Sequence, residues 1–462
     1  MSYINLDQPK KVHFTGIGGI SMSGFAQLLM DRGFTVTGSD WKKNPITEQL
    51  ETEGALIRYG EQRAANVDSD TDVLIYTAAV KDDNPELVAA RNLGIPCIDR
   101  GELAGEVMLH YKRNFSIAGT HGKTTTTSMV AMILMEAGLD PTVSVGGVIP
   151  EIGGNMRIGH SGDFVIESCE YTDSFLEFHP THAIITNIEA EHLDYFKTFE
   201  RMQASFIKFA ELLPADGLLV YNTSIEDADS CFSSVACRKV SYSLFDESAD
   251  YYCKDVTYDQ MGHPSFTLCS KHQDLGRLEL GVVGEHNVSN ACGAAAMMLL
   301  SGVPFSTIAA ALKAYHGTAR RFEKKGEVGG VTIIDDYAHH PTEIKATLAA
   351  AARYPHKELW VVFQPHTFSR TAVFLNEIAE ALSDAGHIVL ADIYAARETN
   401  TIGISSIDIV NILKEKYGKD VYYFPSFDEI ETFLLESVSG GDLLITMGAG
   451  DILKVGERLL GK

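Results

Sequence analysis

The chain has 462 residues, 45% of them hydrophobic and 22% charged, proportions typical of a globular protein that folds in water. Its 62 acidic residues outnumber 38 basic ones, and the net charge of −24 argues against a nucleic-acid partner. We also find no apolar run of membrane-spanning length and no signal peptide. The seven cysteines include no CxxC pair, which favours reduced thiols in a cytoplasm.

The first predicted unit opens with an apolar strand at 12–15 and a glycine-rich turn at 16–19, followed by a helix that ends at Gly33. A second strand at 35–37 leads to Ser39 and Asp40. This order is typical of a Rossmann-like βαβ unit, whose turn approaches a pyrophosphate and whose later acid reaches a ribose. Ser21 stands where the third glycine of G-x-G-x-x-G is expected, so the motif indicates a nucleotide without naming it.

The second predicted unit begins with GTHGKTT at 119–125, directly after the apolar stretch 115–118 and before an apolar-faced helix. Its glycines allow successive backbone N–H groups to point at one anion, and Lys123 adds a positive charge. The Thr124 hydroxyl is suited to the magnesium that accompanies a nucleoside triphosphate. The spacing is shorter than G-x4-G-K-[ST], but the strand before it and the helix after it indicate a phosphate loop that binds ATP.

Polar clusters follow several later strands, at the edge where parallel sheets bind ligands. Glu167 ends the strand beside the phosphate loop and is a candidate magnesium ligand. His192 lies in an acidic segment that indicates either a metal ligand or a capped helix start. His286, Asn287 and Asn290 open a helix, where they could contact a base edge or cap the helix.

The third predicted unit contains apolar strands at 331–334, 359–363, 388–390 and 443–446, separated by helices. Arg321 lies at its border and Asp336 at the end of its first strand. The polar segments that follow the next two strands are QPHTFSR at 364–370 and DIYAARE at 392–398. The pattern predicts another parallel sheet with a polar edge.

The ordered motifs GIGGISMSG, GTHGKTTTT, ESCEYTDSFLEF, TNIEAEHLDYF, EHNVSN, ARRF, DDYAHHP and QPHTFSRT resemble those of the Mur ligase family, from about residue 11 to 451. The resemblance implies an ATP- and Mg²⁺-dependent enzyme of cytoplasmic peptidoglycan synthesis. It implies that L-alanine is joined to the lactyl carboxylate of UDP-N-acetylmuramate through an acyl phosphate. It further implies a monomer or weak homodimer. One departure is Thr367, where many members carry arginine.

The resemblance also implies a role for each matching residue. Lys123, Glu167, His192 and His366 are the catalytic candidates, and Thr124, Glu167 and His192 hold two magnesium ions. The residues implied to bind ATP are Gly119, Thr120, His121, Gly122, Lys123, Thr124, Thr125, His286, Asn287, Asn290, Arg321 and Asp336. Those implied to bind the UDP-sugar are Gly16, Ile17, Gly18, Gly19, Ser39, Asp40, Thr77 and Ala78. Those implied to bind the amino acid are His366, Arg370 and Tyr394.

We therefore predict an α/β chain of three consecutive domains. Residues 1–112 form a Rossmann-like UDP-sugar domain, 113–316 a central P-loop ATPase-like domain, and 317–462 a Rossmann-like domain that binds the amino acid and closes on ATP. The main rival hypothesis is a sister ligase that adds the L-Ala-γ-D-Glu-diaminopimelate tripeptide to UDP-N-acetylmuramate. Two more distant hypotheses are an NAD-dependent oxidoreductase and a regulatory NTP-binding switch, but neither uses all of the motifs.

Overall fold

The computed structural model describes residues 3–77, 80–271, 273–396 and 398–462, apart from the side chains of Leu193 and Asp194. It contains sheets of five, ten and six strands in chain order, which confirms the prediction of three successive α/β units. The chain divides into two compact units. Unit 1 comprises Met1–Cys253, Leu268–Leu275 and Asn290–Ala311, and unit 2 comprises Lys254–Thr267, Gly276–Ser289 and Leu312–Lys462.

The first sheet is parallel, with strand order β3-β2-β1-β4-β5. Capping boxes begin two of its helices, at Asn44 and Asp99, because their side chains satisfy N–H groups that the first turn leaves unpaired. Its elements are β1 (Lys11–Thr15), α1 (Ile20–Asp31), β2 (Thr35–Asp40), α2 (Pro45–Glu53), β3 (Leu56–Tyr59), β4 (Val73–Tyr76), α3 (Pro85–Asn92), β5 (Cys97–Asp99) and α4 (Arg100–Met108).

The second sheet has the strand order β15-β14-β13-β12-β11-β10-β6-β9-β7-β8. Its strands are β6 (Arg113–Ala118), β7 (Thr142–Ile149), β8 (Gly154–Arg157), β9 (Asp163–Glu167), β10 (His182–Ile185), β11 (Leu218–Asn222), β12 (Arg238–Ser243), β13 (Tyr251–Tyr258), β14 (Pro264–Ser270) and β15 (Gln273–Glu279). Its helices are α5 (Lys123–Glu136), α6 (Leu193–Phe196), α7 (Phe199–Glu211), α8 (Ala228–Cys231), α9 (Glu285–Leu300) and α10 (Phe305–Ala314). Strand β6 pairs in parallel with β9 and β10, so the phosphate loop follows an inner strand.

The third sheet has the order β16-β17-β21-β18-β19-β20, and only its β16–β17 pair is antiparallel. Its strands are β16 (Glu323–Val328), β17 (Val331–Asp336), β18 (Leu359–Phe363), β19 (His387–Leu390), β20 (Val421–Tyr423) and β21 (Leu443–Met447). Its helices are α11 (Pro341–Ala351), α12 (Phe368–Val373), α13 (Leu375–Leu382), α14 (Ser406–Tyr417), α15 (Phe427–Ser437) and α16 (Leu453–Leu459).

Both faces of this third sheet are covered, as strand alternation requires. Val361 and Phe363 of β18 belong to one apolar cluster, whereas Trp360 and Val362 belong to another. A larger cluster in unit 1 joins side chains from the first sheet, the second sheet and helix α7, including Phe14, Phe164 and Phe206. Among the described residues, no helix combines the length and apolar character needed to cross a membrane.

His182, at the start of β10, is partly buried beside an aromatic ring. Its ring lies 4.7 Å from the ring of Phe115. Burial, and then the nearby Arg113 charge, lower its pKa to about 4. An unfolded chain binds this proton near pH 6.5, so between about pH 4 and 6.5 the unfolded state binds more protons than the folded state.

We therefore predict that the free energy of unfolding falls on acidification across this window, by up to about 3 kcal/mol from His182. His182→Asn should flatten the dependence of melting temperature on pH between about 6.5 and 4. His160→Asn is the control, because 69% of that side chain is exposed. Equal slopes for the native and His182→Asn proteins would contradict the assignment.

Candidate active site

The phosphate loop joins β6 to α5 through two positions that need glycine. Gly119 and Gly122 have φ angles of +140° and +80°, in the region that other residues rarely adopt. A Cβ on Gly119 would lie 2.0 Å from Thr186 Oγ1, and one on Gly122 would lie 2.5 Å from Asn290 Oδ1. The loop therefore packs directly against the segment after β10 and against helix α9.

The segment after β10 also holds the loop by hydrogen bonds. The His121 N–H donates to Asn187 Oδ1 at 2.8 Å, and the Thr120 N–H donates to the Asn187 carbonyl at 3.2 Å. The Thr186 hydroxyl donates to the His121 carbonyl at 2.6 Å. Two loop amides are thus engaged within the protein, which leaves the first turn of α5, Lys123–Thr125, as the part best suited to a phosphate.

Lys123 is held over the loop by a buried carboxylate. Its Nζ donates to the carbonyls of Gly119 (2.5 Å) and Thr120 (3.0 Å), and lies 2.9 Å from Glu170 Oε2. Burial opposes the charge on Lys123, but the attraction of Glu170 outweighs it, so the pKa of Lys123 is raised above its usual value. The lysine therefore carries a fixed positive charge beside the loop.

His192 lies on the other side of the same carboxylate. Its Nε2 is 3.7 Å from Glu170 Oε1, and its ring lies 4.7 Å from the ring of Tyr171. Glu167 ends β9, and its Oε2 accepts the Gly146 N–H at 2.6 Å. Lys123 and His192 thus both contact Glu170, whose role the sequence pattern does not indicate although it follows Glu167 by three positions.

The glycine loop of the first sheet is closed by contacts to the end of β2. The N–H groups of Gly16 and Ile17 donate to the Ser39 carbonyl at 2.9 and 3.0 Å. The Gly18 N–H donates to Asp40 Oδ2 at 2.8 Å, and a Cβ on Gly18 would lie 2.8 Å from that oxygen. Gly19 caps helix α1.

Thr77 flanks Gly16, where an added Cβ would lie 3.2 Å from the Thr77 methyl group. Ala78 lies outside the described residues. Ser39 has a fully buried side chain whose hydroxyl donates to Glu86 at 2.8 Å. The structure thus brings the predicted UDP-sugar residues Gly16–Gly19, Asp40 and Thr77 to one strand edge, with the Ser39 side chain turned into the interior.

The predicted nucleotide contacts of unit 2 lie around Tyr337. The guanidinium carbons of Arg320 and Arg321 lie 4.9 and 5.3 Å from the Tyr337 ring centre. Asp336 is buried, and its carboxylate accepts the N–H groups of Phe322 and Ala338 at 2.7 and 2.8 Å. Burial raises the pKa of Asp336 to about 6, against the opposing effect of Arg321.

The predicted base-reading residues fall at the start of α9. The Asn287 amide donates to the Val283 carbonyl at 2.7 Å, four residues earlier. His286 folds back over Gly284, where a Cβ would lie 2.5 Å from its ring. Asn290 contacts Gly122 of the phosphate loop within unit 1, whereas His286 and Asn287 belong to unit 2.

The predicted amino-acid site is formed in unit 2 after β18 and β19. Arg370 Nη1 lies 2.9 Å from His366 Nδ1, and the His366 ring stacks on Tyr394 at 5.7 Å. Because guanidinium only donates, His366 Nδ1 accepts and the neutral ring carries its proton on Nε2. Burial, then His339 and Arg370, lower the His366 pKa to about 4, so the ring is neutral at pH 7.

Thr367 stands where many Mur ligases carry arginine, and it contributes to this site through its backbone conformation. It has a φ of +65° and caps α12, accepting the Arg370 N–H on its hydroxyl at 3.4 Å. Tyr394 also lines a cavity of about 390 Å³ together with Gln364, Asp392, Ser426 and Arg458. The structure thus brings His366, Arg370 and Tyr394 together, and their binding of the amino acid stays a prediction.

Three family models match successive parts of this chain. They are described as the Mur ligase family catalytic domain, at residues 11–112, the Mur ligase middle domain, at 117–298, and the glutamate ligase domain, at 320–450. Curated relatives from Lachnoclostridium phytofermentans and Lachnospira eligens, both UDP-N-acetylmuramate–L-alanine ligases, are 51% and 49% identical over the full length of both chains.

Solved structures match over almost the whole chain as well. The UDP-N-acetylmuramate–alanine ligase of Thermotoga maritima is 30% identical with a TM-score of 0.83, and each chain is covered to 98%. A murein peptide ligase of Psychrobacter arcticus is 26% identical with a TM-score of 0.73, again over 98% of each. With its phosphate loop, its three sheets and these full-length matches, the chain belongs to the Mur ligase family.

Proposed function

We propose that this chain joins L-alanine to the lactyl carboxylate of UDP-N-acetylmuramate, at the expense of ATP, in cytoplasmic peptidoglycan synthesis. The observation that carries the proposal is the pair of relatives bearing this activity name that align from end to end. The three clusters of predicted site residues support it, since each lies at the carboxyl edge of a mostly parallel sheet.

The reaction proceeds in two steps. A lactyl carboxylate oxygen attacks the γ-phosphorus of ATP, giving an acyl phosphate and ADP. The neutral amine of L-alanine then attacks the acyl carbon, and the tetrahedral intermediate loses phosphate and a proton to give the amide. Phosphoryl transfer of this kind depends mainly on positioning and on neutralising charge.

Lys123 supplies the fixed charge that such a transfer needs. The carbonyls of Gly119 and Thr120 and the carboxylate of Glu170 orient its Nζ, so the ammonium group is preorganised beside the first turn of α5. We assign the phosphates of ATP to Gly119–Thr125, and its base and ribose to His286, Asn287, Asn290, Arg321 and Asp336. Because Asp336 is occupied by backbone N–H groups, its part is to shape the site.

The donor atoms around the loop fit magnesium. A threonine hydroxyl and a carboxylate are the hard oxygen ligands that this ion prefers, and Thr124 and Glu167 provide them. His192 is a less typical ligand, but a Glu170 oxygen lies 3.7 Å from it. We propose that Thr124 and Glu167 hold one Mg²⁺ and His192 a second, which when bound neutralise charge on the transferring phosphoryl group.

The acceptor amino acid is assigned to His366, Arg370 and Tyr394. The planar Arg370 fork can hold a carboxylate with two parallel hydrogen bonds, and its contact with His366 fixes its orientation. In the tautomer that Arg370 imposes, His366 Nε2 is a donor, so it orients the same carboxylate and does not take the proton of the amine.

The UDP-sugar is assigned to Gly16–Gly19, Ser39, Asp40, Thr77 and Ala78. The domain boundaries and the monomeric or weakly dimeric state stay predictions.

Phosphate release tests the proposal directly. The protein is incubated with ATP, Mg²⁺ and UDP-N-acetylmuramate, adding in turn L-alanine, glycine, D-glutamate and the L-Ala-γ-D-Glu-diaminopimelate tripeptide. We expect turnover with L-alanine as the preferred acceptor. Turnover with the tripeptide alone would make this the sister ligase, and no turnover with any acceptor would overturn the proposal.

Lys123→Ala should lower kcat by at least about 10²-fold, because a preorganised charge at the phosphoryl group is lost. Binding of the UDP-sugar, measured by calorimetry, should change less than about twofold, since no sugar contact is removed. The exposed Lys454→Ala is the matched control. Turnover that survives Lys123→Ala would remove this residue from the phosphate site.

The same substitution leaves Glu170 buried without its partner, which could itself reduce activity. The double variant Lys123→Ala, Glu170→Gln removes that uncompensated charge. We expect it to recover melting temperature while kcat stays low. Recovery of kcat together with stability would show that Lys123 acts through the fold alone.

Arg370→Ala should raise the KM for L-alanine by about 30-fold or more, the value of a lost charge-assisted pair, with the KM for ATP nearly unchanged. Arg370→Lys should give an intermediate KM, because ammonium lacks the planar fork. Arg91→Ala, a surface ion-pair residue of unit 1, is the control. A change confined to the KM for ATP would move Arg370 out of the amino-acid site.

A further inference from the structure

Glu86 is a fully buried carboxylate in the first turn of helix α3. Carboxylates are rarely buried completely, because removing the charge from water is costly unless partners within the protein replace the lost hydration. None of the predicted catalytic or binding roles includes this residue. Its position therefore needs a physical reason.

Glu86 is held by side chains of the neighbouring strands β1 and β2 and by Asn66, which precedes β4. Its Oε2 accepts the hydroxyls of Thr15 at 2.7 Å and Ser39 at 2.8 Å. His13 Nε2 lies 3.3 Å from the same oxygen, and the Asn66 amide donates to Oε1 at 2.7 Å. Thr15 and Ser39 are paired residues in the β1–β2 register, so one carboxylate oxygen ties the two strand ends together.

The residues that follow these strand ends form the glycine loop. Gly16 follows Thr15 and donates to the carbonyl of Ser39, as does Ile17. Asp40 follows Ser39 and accepts the N–H of Gly18. A shift of either hydroxyl from Glu86 would therefore be passed to the loop amides and to the Asp40 carboxylate.

The carboxylate stays ionised in this position. Burial alone would raise its pKa, but hydrogen bonds from His13, Asn66 and Thr15 together lower the pKa below its usual value. A charged acceptor forms stronger hydrogen bonds than a neutral one, so the strand ends are held firmly.

We propose that Glu86 is a positioning residue for the UDP-sugar site: it holds the ends of β1 and β2 in register so that the glycine loop and Asp40 meet the uridine diphosphate group. This inference rests on the proposed function. The inference goes beyond the proposed function because it makes the affinity for the UDP-sugar depend on a buried residue that does not contact the substrate.

The test compares Glu86→Gln with the native protein. Glutamine keeps the size and one acceptor oxygen, but it loses the charge and turns the other acceptor into a donor, so the hydrogen bonds from the Thr15 and Ser39 hydroxyls weaken. We expect the Kd for UDP, measured by calorimetry, and the KM for UDP-N-acetylmuramate to rise about tenfold, since small misplacements of binding groups have effects of this order or larger. The kcat and the KM values for ATP and L-alanine should stay within about twofold.

Asp163→Asn is the matched control, because Asp163 is another buried carboxylate of unit 1. It pairs with Arg113 at 2.6 Å and lies on β9, outside the glycine loop. This substitution should lower the melting temperature without changing UDP affinity. Should Glu86→Gln fail to fold, the isosteric Thr15→Val removes one hydroxyl from Glu86 and should raise the Kd for UDP about threefold.

A Glu86→Gln protein that loses stability like Asp163→Asn but binds UDP with native affinity would overturn the proposal, as would an equal rise in the KM for ATP. Native affinity in a folded Thr15→Val protein would overturn it as well. Turnover by the unsubstituted protein with UDP-N-acetylmuramate and L-alanine tests the proposed function separately, so the two failures are distinguishable.

Discussion

The positive charge of Lys123 must be compensated inside the fold, and the phosphate-binding part of unit 1 is arranged around that requirement. The lysine is 12% exposed and its partner Glu170 is not exposed at all. Such a pair is stable only when further hydrogen bonds replace lost hydration, here from the loop carbonyls. The turn after Glu170 adopts left-handed angles at Thr172 and Asp173, and Tyr195 donates to Asp173 at 2.7 Å. The Asp173 N–H also donates to the Glu170 carbonyl at 2.9 Å, so this turn is fixed directly beside the compensating carboxylate.

The same reasoning separates two kinds of carboxylate at the strand edges. Glu86 and Asp336 are buried, and hydroxyl or backbone donors contact their oxygens, so each fixes the backbone around it. Asp40 and Glu167 are partly exposed, and each also accepts a glycine N–H. A carboxylate of the second kind can still meet a ligand, because water covers part of it in the free protein. Burial therefore distinguishes positioning residues from binding residues where the sequence shows only acids after strands.

The sequence predicts the three sheets well, because apolar strands, glycine turns and helices alternate in a regular order. It also indicates Gly119, Gly122 and Lys123, whose spacing follows from local backbone geometry. It does not indicate Glu170, nor the inward direction of the Ser39 hydroxyl, because both depend on which side of the sheet a turn delivers a side chain. That direction is set by contacts between residues far apart in the chain. The roles assigned to the site residues stay predictions.

Under the proposed function, the contacts in unit 2 also bear on specificity. Arg370 and His366 are suited to an α-carboxylate, a group that every free amino acid carries, so their pairing explains affinity and not choice. Selecting L-alanine over glycine then depends on a single methyl group, which a pocket can distinguish by only about 1–3 kcal/mol. Tyr394 is 38% exposed, so its ring closes that pocket incompletely. The residues around Arg370 account for recognition of the carboxylate alone. Strict selection of L-alanine would require a surface that contacts its methyl group, supplied by another part of the protein or by the bound substrates.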